Sequence, residues 1–411
     1  MFNKDIRRMT KNNNTGAQLL SNHRVYLDHS ASNPIDSRVL DAMLPYFREH
    51  FGNPSSTHSL GQEALEALEE SRRNVANLIG AKPSEIIFTS GATESINMAI
   101  RGAAFRNRNK GDNILYSAIE HMAVLNTTKY LVRQGFRGTS IPVDNTGVID
   151  RDALSKSVCD KAVIVSLMYA NGEIGTIEPV REAAEIVHEA GALLHVDAVA
   201  AACQIPIDVK RDGMDFLTIS SNELYGPKGV GALYVKEGAK IEPLIQGGGQ
   251  EKGLRSGTEN VPGIVGMGKA SEIAKAEMNP ESERLTALRE RLIEGTLENI
   301  RESHLNGHRT QRLPNNANLR FSYIEGESLI LSLDMEGIQV SSASACTSKT
   351  LEPSHVLLAI GLRHEEAHGS IAFTFGRENV LSDVDHVLSV LPPIVKRLRM
   401  ISPLTPKELL S

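Results

Sequence analysis

Phe216-Leu-Thr-Ile-Ser-Ser-Asn-Glu-Leu-Tyr-Gly-Pro-Lys-Gly-Val-Gly-Ala-Leu-Tyr-Val235 is the stretch from which the fold can be read. Its apolar opening, residues 216–219, reads as a buried strand. The polar residues 220–223 read as a turn, and a Gly/Pro-rich bend then leads into a second apolar run. Ser220 and Ser221 put small hydroxyls at a strand end beside free backbone amides, which suits an anion such as a phosphate. Strands and helices alternate on the N-terminal side of this stretch. Residues 86–89, 114–117, 163–166 and 193–196 are short apolar runs separated by helical patterns. Near-continuous apolar strands between helices indicate an α/β fold with a mostly parallel sheet covered on both faces. Such sheets bind ligands at the carboxyl ends of their strands. The polar residues that follow the strands, Thr93, Glu120, His121, Asn171, Asp197 and Ser220, are therefore candidates for one site.

A chain of 411 residues suggests about two domains. With 41% hydrophobic and 23% charged residues, it has the composition of an ordinary globular protein. The formal charge of -6 gives no basic footprint for nucleic acid. No run approaches the roughly 18 apolar residues of a membrane span. Residues 1–24 are polar with scattered Lys and Arg and have no long apolar core, so a solvated tail is expected rather than a secretory signal. Cys159, Cys203 and Cys346 are odd in number and far apart, which argues against a disulfide scaffold and fits a reducing cytoplasm. No paired Cys/His spacing points to a metal site made by this chain alone.

Residues 25–36 read as a short strand running into a turn, 52–56 as a loop and 60–79 as an amphipathic helix. Gly91-Ala-Thr-Glu94 opens a further helix that runs to about 107. After Gly247-Gly-Gly-Gln250 and Arg255-Ser-Gly-Thr258 the pattern changes. A charged helix is expected over 281–302, strands near 318–322, 337–340 and 371–375, and helices over 327–333, near 356 and over 382–399. Residues 341–354, a run of small and hydroxyl side chains, form a loop that contains Cys346. This divides the chain into a tail (1–24), a large domain (25–275) and a smaller α+β domain (276–411).

Over residues 25–400 the sequence resembles the cysteine desulfurases of the IscS/NifS class, which are fold-type-I enzymes dependent on pyridoxal phosphate (PLP). Ser-Ala-Cys346-Thr-Ser followed by Leu-Glu-Pro-Ser354 is very like the family's persulfide loop, where the thiolate takes sulfur from a PLP-bound cysteine. Lys349 nearby favours a thiolate. The resemblance implies a set of residues that hold the cofactor. Ala92 and Thr93 open a helix and grip the phosphate, aided by the helix dipole, and Ser220 matches a phosphate-binding serine. Thr258 matches a threonine that reaches the phosphate from the other subunit, which implies a homodimer. His121 matches the histidine stacked on the pyridine ring. Asp197 matches the aspartate that pairs with the ring nitrogen.

The positions that react depart from the family. Glu223 stands where the family has the lysine that bonds covalently to the cofactor, and Asn222 replaces the histidine beside it. Ala200, Gly172 and Ala372 replace a glutamine, an asparagine and the arginine that binds the substrate carboxylate. Lys228 and Arg377 do not fill these gaps, because active members have those two residues as well. The expected function is accordingly a desulfurase-like protein of iron–sulfur assembly, impaired in PLP chemistry. It holds PLP or pyridoxamine phosphate noncovalently, if at all. Its Cys346 handles sulfur, or ligates an iron–sulfur cluster shared with an IscU-type scaffold. The alternative is an active enzyme that turns cysteine into alanine and a persulfide on Cys346.

Overall fold

The computed structural model describes residues 24–342 and 353–409. The expected tail, apart from Arg24, lies outside these residues, as do Cys346 and Lys349. A seven-stranded sheet forms the larger part of the fold. Its strands run in the order Ile86–Thr89, Gly231–Val235, Phe216–Ser220, Leu193–Asp197, Ala162–Met168, Asn113–Ser117 and Arg137–Ile141. All neighbours are parallel except Gly231–Val235, which pairs antiparallel with the strands on both sides. The bend read at Gly226-Pro-Lys-Gly229 thus turns the chain back beside its own strand, with Phe216 opposite Val235 and Ser220 opposite Gly231. The central strands are buried along their whole length, as expected for a sheet covered on both faces.

The second body is a three-stranded antiparallel sheet, Ser370–Thr374, Asn316–Phe321 and Ser303–Leu305, packed against Gly326–Met335 and Leu381–Ile401. The N-terminal strand Val25–Tyr26 pairs in parallel with Ile338–Gln339, and Val25 and Leu27 are buried in this core. The chain therefore starts in the smaller body before entering the larger one.

The helix expected over 281–302 is much longer. It spans Val261–Asn299, passes through Pro280 and crosses the expected division at 275. Its N-terminal half packs in the large core through Ile264, Met267 and Ala274, and its C-terminal half in the small core through Leu285, Leu288 and Leu292. The glycines that hid its first turns are contact points with neighbouring segments. A Cβ at Gly268 would lie 2.6 Å from Ser71, and one at Gly266 would lie 2.6 Å from Met43. Among the described residues, no helix is long and apolar enough to cross a membrane.

Candidate active site

A cavity of about 460 Å³ opens at the carboxyl ends of the parallel strands, between the two bodies. It brings together Ala92, His121, Asp197, Glu223, Ala200 and Gly172, all of which the sequence had assigned to one site. Thr93, Ser220 and Thr258 are not part of its lining. Thr93 is the exposed second residue of the helix Ala92–Arg106, Ser220 ends its strand, and Thr258 is exposed on a loop. Asn171, another candidate, is a turn-former: its side-chain oxygen accepts from the amides of Glu173 and Ile174 at 2.9 Å each.

The helix Ala92–Arg106 begins after Gly91, whose φ of 148° suits only glycine, and no side chain caps it. Its first amides are therefore open to an anion. Two interactions brace this helix start. Ser90 Oγ and N both donate to Glu94, at 2.5 and 2.9 Å, and Arg255 Nε donates to Glu94 at 2.9 Å. Burial works to raise the Glu94 carboxyl, but Arg255 and Ser90 outweigh it and hold the group below its ordinary value.

Asp197 ends the strand Leu193–Asp197, where one carboxylate oxygen accepts from Val199 N at 3.0 Å. Burial raises its pKa and His121 opposes this, so a cationic partner in the cavity would stabilise its ionised form. His121 is exposed and caps its own helix through Nδ1, which accepts from Ala123 N at 3.1 Å. Behind these residues lies a buried polar row. Glu120 accepts from Ser166 Oγ at 3.2 Å, Ser166 Oγ meets His195 Nδ1 at 2.9 Å, and His195 Nε2 meets Thr218 Oγ1 at 3.0 Å. Burial, with the Asp197 charge adding to it, pushes the Glu120 carboxyl well above its ordinary value, and burial pushes His195 down to about 3. The row is a support for the strand ends.

The turn Asn222–Leu224 forms the opposite wall. Asn222 Nδ2 donates to one Glu223 carboxyl oxygen at 2.9 Å, and Asn33 Nδ2 donates to the other at 3.3 Å. Burial nevertheless pushes Glu223 up to about 8, with the Asp197 charge adding to the shift. Glu173 is likewise pushed up to about 8 by burial. Among the described residues, no lysine or arginine lines the cavity. Lys228 points its Nζ at the Asn33 carbonyl, 2.9 Å away, and Arg377 is held by Asp36 at 2.7 Å while its guanidinium lies over the Tyr225 ring. Ala372 is buried on the strand face it shares with the cavity residue Thr374, so the position that would direct a long cation at the cavity carries only a methyl group.

Several lining residues had no signal in the sequence. Asn33 was read only as part of a bend, yet it binds Glu223. It is positioned by His29, whose Nδ1 lies 2.7 Å from its Oδ1. Cys203, for which the sequence suggests only a structural or incidental place, lines the cavity and donates its thiol to the Glu223 carbonyl at 2.8 Å. Burial pushes that thiol up to about 12, so it stays protonated and acts as a small donor.

The family profile described as "Aminotransferase class-V" matches residues 25–387. The chain belongs to this family. Its relatives in it are the IscS/NifS cysteine desulfurases. It is 56% identical over 379 residues to "Cysteine desulfurase IscS 1" of Archaeoglobus fulgidus, covering 92% of this chain and 99% of that protein. It is 52% identical over 387 residues to "Cysteine desulfurase IscS" of Methanosarcina thermophila, covering 94% and 96%. Among solved structures, a "NIFS-LIKE PROTEIN" superposes with a TM-score of 0.86 at 39% identity, covering 92% of this chain and all of that one. The mostly parallel α/β architecture is that of fold-type-I PLP proteins.

PLP is the cofactor this family implies. The residues present fit its noncovalent binding. The uncapped helix start at Ala92 suits the phosphate, and Asp197 has one carboxylate oxygen with no protein donor among the described residues, which suits a protonated ring nitrogen. They do not fit its covalent attachment, because the described residues put no amine on the cavity wall.

Proposed function

We propose that this chain is a sulfur-handling protein of iron–sulfur cluster assembly, built on the cysteine desulfurase plan and impaired in PLP chemistry. In this reading PLP or pyridoxamine phosphate is held without a covalent bond. Cys346 accepts sulfur, or completes a cluster shared with an IscU-type scaffold. Two chains associate as a homodimer in which Thr258 serves the partner's phosphate site, and the protein works in the cytoplasm. One observation carries the reading: a carboxyl at position 223 and, among the described residues, no lysine or arginine on the cavity wall. When bound, PLP supplies an electron sink for a substrate's α-carbon. The residues of this wall orient the ring and exclude water. They offer no amine to exchange and no guanidinium for a substrate carboxylate.

The second reading is an active cysteine desulfurase, which converts cysteine to alanine and leaves the sulfur as a persulfide on Cys346. The comparisons favour it over the first, since relatives 46–56% identical over more than nine-tenths of this chain are named cysteine desulfurases. One local feature also suits it: Glu223, with its pKa of about 8, is in the range of a general acid or base near neutral pH. Sulfide release from cysteine under anaerobic conditions, with PLP and a thiol reductant, separates the two. The first reading expects the native chain to match Cys346→Ala, with both near background in folded protein. Turnover that depends on Cys346 establishes the second.

A further inference from the structure

The charge pattern of the cavity bears on which form of the cofactor it accepts. This inference rests on the reading above, in which the cofactor is held noncovalently. Among the described residues, the lining contains Glu120, Glu173, Asp197 and Glu223 and no lysine or arginine. A site for an aldehyde and a free amino acid needs an amine to bond the first and a cation to face the carboxylate of the second. This wall provides neither, and it offers an amine several acceptors.

Glu223 is the best placed of these acceptors. Asn222 and Asn33 each give one N–H to a different carboxyl oxygen, an arrangement that orients the group and favours its ionised form. The support extends outward: His29 positions Asn33, and Cys203 holds the Glu223 backbone carbonyl. Lys228 acts on the Glu223 carboxyl from a distance: its Nζ is bonded to the Asn33 carbonyl and it is not part of the wall. A carboxyl gripped by two amides, with no lysine or arginine among the described residues of the wall to satisfy it, is a site for a ligand ammonium.

We infer that Glu223 makes this cavity selective for pyridoxamine phosphate over pyridoxal phosphate, its carboxylate pairing with the primary ammonium that the aldehyde lacks. The two molecules have the same ring and phosphate, so the helix start at Ala92, His121 and Asp197 treat them alike. Only the 4′ substituent differs, and Glu223 is the residue that distinguishes it. A charge-assisted hydrogen bond in a partly desolvated site corresponds to a preference of about tenfold or more.

The test is calorimetric titration of the full-length protein with three ligands: pyridoxamine phosphate, pyridoxal phosphate and pyridoxine phosphate. The last has a neutral hydroxymethyl group and cannot react with surface amines. The expected order places pyridoxamine phosphate at least tenfold tighter than the other two. Glu223→Gln is expected to bring it to within about threefold of pyridoxine phosphate while leaving pyridoxine phosphate itself nearly unchanged. Equal affinity for all three in the native protein would overturn the selectivity and leave noncovalent holding intact. A preference that persists in Glu223→Gln would overturn the role of Glu223. If none of the three binds, the noncovalent reading fails together with the inference.

Discussion

The helix start at Ala92 and the turn at Asn222–Leu224 face one cavity, yet the fold treats them in opposite ways. The first is braced by paired charges. Arg72 Nη1 and Nη2 each meet a different oxygen of Glu251 at 2.8 Å, and the same carboxylate accepts from Phe88 N, two residues before Ser90. From Glu251 the chain leads to Arg255, which binds Glu94 in the first turn of the helix. Glu251 and Glu94 on this side each have an arginine. On the other side, Glu223 and Glu173 are half-buried with no ion pair among the described residues, and both are pushed up to about 8. A group that stabilises the fold is paired, whereas one that burdens it is kept for another reason or has lost its partner. The holding side is therefore integral to the architecture, and the reacting side is a local burden on it.

Breaking the first side should have the larger effect. Arg72→Ala leaves Glu251 buried and unpaired and is expected to cost about 3–5 kcal/mol in urea unfolding. A loss under about 1 kcal/mol would mean that the Arg72–Glu251 pair does not brace the site. The reacting side should respond weakly and with the opposite sign. For Glu223, the unfolded carboxyl titrates near its ordinary 4.5 and the folded one near 8. Between these values the unfolded chain has released a proton that the folded chain keeps, so stability falls as pH rises and levels off above about 8. His195 and His29, both depressed by burial, add stability only up to their ordinary value of 6.5, so above that pH they no longer change it. Glu223→Gln, which does not titrate, should already exceed the native protein at pH 6.5 and exceed it by more at pH 8.5. Parallel urea profiles across that interval would show that Glu223 is already ionised in the fold.

The sequence and the structure agree best where chemistry coincides with a strand end. Ala92, His121 and Asp197 each lie at or just beyond the end of an apolar run, so the alternation of strands and helices indicated where they would meet. Glu223 was equally visible, since it sits in the turn after Phe216–Ser220. Asn33, Glu173 and Cys203 were not, because they reach the cavity from loops where no period applies, and only the tertiary fold brings them to Glu223 or beside it. The helix Val261–Asn299 was misjudged for a related reason. Glycine and proline read as breaks, but here Gly266 and Gly268 admit Met43 and Ser71, and packing on two cores outweighs the local propensity.

The central claim is that the cavity is built to hold the cofactor without a covalent bond. Borohydride reduction after incubation with PLP, followed by intact mass and peptide mapping, tests it directly. The native chain should carry no stoichiometric adduct, and Asn222→His with Glu223→Lys should gain one, located at position 223. A stoichiometric adduct on Lys228 of the native chain, or a double variant that folds and stays unlabelled, would contradict the account.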